Sequence, residues 1–325
     1  MGRLIARLAT VLLVLLIAVG GLGLWGHAQF TRPGPLDQPR DVVIPSGSGL
    51  EGIANTLASS GIIDDPRVFS IAVKLSGMAR SLKAGEYHFA KTASPREVMH
   101  VLIEGQTVVR RLTIAEGLTV RQTLNRLSLA EGLVGQVGTA PTEGTLLPET
   151  YHFSYGDTRA ELLRRMRIAM LDLLAKAWPN RDSTSILADP NQALVLASIV
   201  EKETALAKER PLVAGVFFNR LKRGMRLQSD PTVAYGIDPK GLDRALSKRD
   251  LKQPTPYNTY VNKGLPPGPI ANPGRASIEA VLHPAETDFL YFVADGSGGH
   301  AFARTLAEHN RNVALWRKFK KASGG

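Results

Sequence analysis

From Leu8 to Trp25 the chain carries no charged residue and is dominated by Leu, Val, Ile, Ala and Gly. At about 1.5 Å per residue, a helix of that length, extended by Gly26 and a snorkelling Arg7, approaches the ~30 Å hydrocarbon thickness of a bilayer. Arg3 and Arg7 precede the run, so the positive-inside rule predicts a cytoplasmic segment over 1–7, a single transmembrane anchor over 8–26, and an extracytoplasmic remainder. Gly26 and Ala28 would also suit a signal peptide cleaved after Ala28. The apolar run exceeds a usual signal core, and a retained anchor is the expectation.

Beyond the anchor the pattern changes period repeatedly, which predicts an α+β protein. Residues 27–40 read as a linker, because Thr31–Arg40 (TRPGPLDQPR) holds three prolines and a glycine. A small αβ domain is expected over 41–133. Within it Ile44–Leu57 overlays Ile114–Leu127 at a constant offset, with Ile44/Ile114, Gly47/Gly117, Asn55/Asn125 and Leu57/Leu127 coinciding. Each copy reads as strand, glycine turn and amphipathic helix, with Ser46 or Ser48 and Thr119 as helix caps. Such units resemble LysM-type glycan-binding modules.

A hinge at Gly135–Pro141 leads to a larger mixed α/β domain expected over 142–316, followed by a basic tail over 317–325. Thr158 and Glu161 form a capping-box pattern before Leu162, Leu163, Met166, Met170 and Leu173, which share one helical face. Asp189-Pro190 signals a second helix start. Pro273–His283 predicts a short helix closed by Pro284, Phe289–Ala294 a buried strand, and Phe302–Lys320 a terminal helix.

Composition narrows the chemistry. There is no cysteine, so an exported body of this size must be held by its own apolar core, and thiolate zinc sites are excluded. The seven histidines are scattered, without an HExxH pair, and no Gly-x-Ser-x-Gly elbow or P-loop occurs. Net charge is +11, or +9 without Arg3 and Arg7, which favours lipid headgroups or an acidic polymer as neighbours. Export and the lack of a recognition motif argue against nucleic acid.

The second helix continues as Ala193–Val200 (ALVLASIV) and then meets Glu201-Lys202-Glu203-Thr204. A carboxyl pressed against that apolar stretch is destabilised as an anion, which suits a general acid working near neutrality. Periodicity does not choose between Glu201 and Glu203, because apolar residues lie one turn before both. Gln228, Ser229 and Asp230 follow a basic helix end, and Tyr257-Asn258-Thr259-Tyr260 precedes the rigid Gly264–Ile270 segment. Amides, carboxylates and aromatic faces in loops suit sugar rings and also serve ordinary turns.

Several ordered strings resemble the endolytic murein transglycosylases of the MltG/YceG-like family: Glu143–Tyr151, Ala197–Thr204, Phe218–Leu221, Met225–Thr232, Tyr257–Tyr260, Gly264–Ile270 and His300–Asn310. Leu147, where an aromatic residue is expected, and Glu149, where Asp is common, depart from the pattern. The resemblance implies cleavage of the β-1,4 bond between N-acetylmuramic acid and N-acetylglucosamine, with 1,6-anhydro ends. It places the catalytic acid/base on Glu201, with Gln228, Asp230, Tyr257 and Asn258 orienting the sugar and Glu143 also in the cleft. It implies no cofactor and no metal. The expected partners are peptidoglycan glycan strands, the bilayer and peptidoglycan synthases, and the expected location is the cell inner membrane with the catalytic domain in the periplasm. A hydrolytic muramidase using Asp230 as second carboxylate and a non-enzymatic glycan-binding scaffold are the competing readings.

Overall fold

The computed structural model describes residues 2–322. Helix α1 spans Gly2–Thr31 and is long and apolar enough to cross a membrane. It runs past the expected end at Gly26, because nothing breaks the helix before Pro33.

Strand β1 (Arg40–Ile44) comes next, then α2 (Leu50–Ser59), α3 (Pro66–Leu75), β2 (Gly85–Phe89) and α4 (Pro95–Glu104). The two strands pair antiparallel, with Ile44 opposite Gly85 and Val42 opposite Tyr87. Phe69, Val73, Tyr87, Phe89, Val98 and Leu102 fill the space between this ribbon and the helices. Asp65 caps α3 from its side chain, and Ser94 with Glu97 forms a reciprocal capping box on α4. Neither Ser46 nor Ser48 caps α2; its N-cap is Gly49, without a side-chain bond.

Strands β3 (Val109–Thr113) and β4 (Thr150–Ser154) pair with each other, and along them the chain passes between two compact units. The first unit ends at Arg110 and takes in His152–Asp157; the second comprises Arg111–Tyr151 and Thr158 onward. This division differs from the expected boundary at 133–142. The second copy of the repeated pattern sits in the larger unit, because the Ile114 N–H donates to the Glu149 carbonyl and the Gly117 N–H to the Asn272 carbonyl. Its helix α5 (Val120–Leu129) starts from the expected cap, Thr119, in a capping box with Gln122.

The larger unit continues with α6 (Arg159–Ala177), capped by Thr158, and α7 (Pro190–Glu203), capped by Asp189 with Pro190 at its first position. Then come α8 (Arg210–Lys222), α9 (Asp230–Ile237), α10 (Arg275–Leu282), the hairpin β5 (Tyr291–Ala294) with β6 (His300–Ala303), and α11 (Leu306–Ala322). Helix α7 packs against α8, α9 and α10, and every residue from Ala193 to Val200 is buried. Its one hydroxyl is satisfied: Ser198 Oγ donates to the Val195 carbonyl and accepts from the Ile270 N–H.

Two differences from the sequence pattern stand out. Strand β5 is half-buried rather than buried, since a two-stranded hairpin leaves it partly open, and His300–Ala303 is a strand, so the terminal helix starts at Leu306. Of the expected basic tail, residues 323–325 lie outside the described residues, and Arg317–Ala322 is helical.

Asn272 ties this unit together. Fully buried, it accepts the Leu146 N–H through Oδ1 at 3.0 Å and donates through Nδ2 to the Leu118 carbonyl at 3.0 Å. Asn272→Ala leaves the buried Leu146 N–H without its partner and is expected to cost about 2 kcal/mol, read as a lower urea midpoint at unchanged slope.

Candidate active site

Glu201 and Glu203 lie two residues apart, about 200° around the helix, and so leave α7 on different sides. Their surroundings differ accordingly. Glu201 Oε2 accepts the Gly274 N–H at 2.9 Å, and Oε1 lies 3.2 Å from Arg210 Nη2. The same nitrogen donates to Glu116 Oε2 at 3.1 Å, so one buried guanidinium bridges two carboxylates. Burial, and next the charge of Glu201, raise the Glu116 pKa, with Arg210 opposing them. A Cβ at Gly274 would overlap the Glu116 carboxyl, so a larger residue there would push that side chain aside. Lys202 Nζ donates to the Gly117 carbonyl at 3.3 Å on the same loop. The Glu201 side chain is only 5% exposed.

Glu203 is half-buried and has no cationic partner within ion-pair distance among the described residues. Ser229 Oγ donates to its Oε1 at 2.5 Å. Burial pushes its pKa up to about 7, with the Asp230 charge adding to the rise and the Ser229 hydrogen bond, His300 and Arg220 opposing it. Around it stand exposed Gln228 and exposed Asp230, and Tyr260 donates through its hydroxyl to Asp230 Oδ1 at 2.6 Å.

The loop carrying these groups is held stiffly. Gln228 has a left-handed backbone (φ 50°), its N–H donates to the Thr259 carbonyl, and the Ser229 N–H donates to Thr259 Oγ1 at 3.0 Å. Thr232 and Thr259 hydroxyls meet at 2.8 Å beneath it. A strained residue pinned beside a perturbed carboxyl is a common feature of functional sites. On a further side, Glu209 accepts from the His300 N–H at 2.9 Å and faces His300 Nδ1 at 2.7 Å. Burial raises its pKa, but these hydrogen bonds outweigh it and the net shift is down.

The other expected sugar contacts have different occupations. Asn258 is fully buried and commits its amide to the backbone: Nδ2 to the Leu251 and Gln253 carbonyls, Oδ1 from the Tyr260 N–H. It shapes the loop that carries Tyr260. Glu143 accepts the Val120 N–H at 2.7 Å, at the start of α5, and the Tyr235 hydroxyl at 3.3 Å; burial raises its pKa. The Tyr257 ring packs edge-on against Tyr235 at 4.8 Å. The groups that sequence reasoning missed are Glu116, Arg210 and the Glu209–His300 pair; Ser229 and Tyr260, expected only as general sugar-facing loop groups, bond to Glu203 and Asp230 respectively. Tyr260, Ser229 and His300 lie inside the family-like strings, whereas Arg210 and Glu116 carry no sequence signal beyond being charged. Among the described residues no three Asp, Glu or His side chains converge as metal ligands.

Residues 42–315 match the model of the YceG-like family. A Bacillus subtilis protein called an endolytic murein transglycosylase is 33% identical, over 91% of this chain and 90% of its own length. A Streptococcus pneumoniae protein of the same name is also 33% identical, over 84% of this chain and 57% of its own length. The crystal structure of a yceG-like protein from Listeria monocytogenes superposes with a TM-score of 0.52 at 31% identity, covering 84% of this chain and 98% of that one. The family match and these relatives span both compact units, and the chain belongs to the YceG-like family.

Proposed function

We propose that this chain is a lytic transglycosylase that cuts peptidoglycan glycan strands internally, with Glu203 as its acid and base. The reaction class rests on relatives of 33% identity named endolytic murein transglycosylases. The observation that carries the residue choice is a half-buried carboxyl with a pKa near 7, beside exposed polar groups that a sugar can reach. Glu201, the residue first expected, is committed to Arg210 and the Gly274 N–H. Its role here is to hold Arg210, Glu116 and the Gly117 loop in register.

Protonated Glu203 gives its proton to the glycosidic oxygen as the bond from the muramic C1 breaks. Positive charge develops at C1, and exposed Asp230, oriented by Tyr260, is the nearby negative charge that favours it. The Glu203 carboxylate then takes the proton from the muramic C6 hydroxyl, whose oxygen bonds to C1 and closes the 1,6-anhydro ring. The proton returns to Glu203, and no water is consumed. Gln228 lies where an amide can orient the sugar. Helix α1 serves as the anchor, with both units in the periplasm, and the first unit acts as a LysM-like glycan grip. Anchored next to peptidoglycan synthases, the enzyme cuts nascent strands and ends their elongation.

Incubating the protein with intact sacculi and weighing the released muropeptides tests the reading. Wild type is expected to release anhydro-ended products, Glu203→Gln to lose at least about 10²-fold in rate, and Glu201→Gln to keep more activity than Glu203→Gln. The reverse order of the two variants returns the acid role to Glu201. Reducing ends instead of anhydro ends identify a muramidase, with Asp230 activating water.

Stability provides a second check. A carboxyl whose folded pKa is raised from 4.5 to about 7 contributes stability that is fully present below 4.5 and lost as pH rises through 7. Glu203→Gln does not titrate, so relative to wild type it is expected to gain as pH rises, by up to about 3 kcal/mol at pH 8. Thermal unfolding of both forms at pH 4.5 and 8 measures this difference.

A further inference from the structure

Helix α3 presents two faces. Phe69, Ser70 and Val73 point into the core of the first unit, whereas Val68, Ile71, Ala72 and Leu75 form a separate apolar stripe at i, i+3, i+4 and i+7. Ile71 is 58% and Leu75 84% exposed. That stripe does not stand alone. It faces Leu22, Gly23, Trp25, Gly26, His27 and Phe30 of α1 across a groove of about 550 Å³.

Leu22 and Trp25 are themselves 67% and 54% exposed, so the outer end of the apolar helix and the α3 stripe make one continuous apolar surface. Phe30 of α1 lies against Phe69 of α3, and just beyond the helix ends Arg32 pairs with Asp64 at 2.7 Å. Soluble surfaces rarely leave a contiguous patch of this kind open. Arg67 and Lys74 lie about two helical turns apart along the edge of the stripe, and their long stems allow the charges to reach phosphates while the neighbouring side chains go deeper.

We infer that α3 lies in the outer boundary of the bilayer that α1 crosses, with Val68, Ile71 and Leu75 among the acyl chains and Arg67 and Lys74 at the headgroups. The inference rests on the reading of α1 as a retained anchor. If about 20 residues starting near Leu8 span the hydrocarbon, the span ends near His27, and the α3 stripe faces residues at that same level. Trp25 then sits at the interface, where indoles concentrate. The consequence is that the first unit is held flush on the membrane rather than swinging on a tether.

The absence of cysteine makes the test direct. Single-cysteine forms Leu15→Cys, Leu75→Cys and Glu104→Cys of the full chain are spin-labelled and reconstituted in proteoliposomes of phosphatidylethanolamine and phosphatidylglycerol. Collision with oxygen is then compared with collision with a water-soluble nickel chelate. The expected result is that the labels at 15 and 75 both favour oxygen several-fold over the label at 104, with the label at 75 shallower than that at 15. A label at 75 that matches 104 while 15 remains in lipid overturns the inference and leaves the anchor intact. A label at 15 that meets nickel as freely as 104 overturns the anchor reading and the inference with it.

Discussion

An eight-residue stretch without a polar face cannot lie on a surface, and the architecture of the larger unit depends on that constraint. Ala193–Val200 offers no side to water, so α8, α9 and α10 close around α7. At about 1.5–3 kcal/mol for each large side chain, burying Leu194, Val195, Leu196, Ile199 and Val200 is worth on the order of 10 kcal/mol. A rod held this rigidly delivers its last turn to a fixed place. That turn is Glu201-Lys202-Glu203, with Thr204 as its C-cap, and it emerges where the surrounding elements still crowd the helix. The core thereby creates half-buried carboxyl positions that a surface helix lacks.

The two carboxyls solve the problem of desolvation differently. Glu201 is matched by a guanidinium and a backbone N–H, the arrangement that compensates a buried anion. Arg210 is shared with Glu116, so one cation serves two carboxylates; burial, and next the charge of Glu201, raise the Glu116 pKa against the pull of Arg210. Burial, and with it the charge of Asp230, favours the neutral form of Glu203 against the opposing hydrogen bond from Ser229. The contrast between a compensated and an under-compensated carboxyl, two residues apart, is what the proposed acid/base role of Glu203 rests on.

Much of the fold was legible where local signals were strong. Asp189-Pro190, Thr158 and Thr119 cap the helices they were expected to cap, and the apolar run of α7 is buried throughout. The signals failed where partners distant in sequence decide. The second copy of the repeated pattern belongs to the larger unit because Glu149 and Asn272 supply its hydrogen bonds, which no local periodicity reveals. Asn258 looked like a sugar ligand because a loop amide next to aromatics has that composition; its donors and acceptor go to the backbone of its own loop. The choice between Glu201 and Glu203 depends on Arg210, Gly274 and Ser229, which approach α7 from three separate segments.

Catalysis by Glu203 requires a carboxyl that keeps a substantial neutral fraction near pH 7. Carbon-13 labelling of glutamate side-chain carboxyls, with the Glu203→Gln spectrum subtracted to assign the signal, allows Glu203 to be titrated directly by NMR. The predicted midpoint is near pH 7. A midpoint in the ordinary glutamate range, about 4 to 5, would contradict the assignment of Glu203 as acid and base.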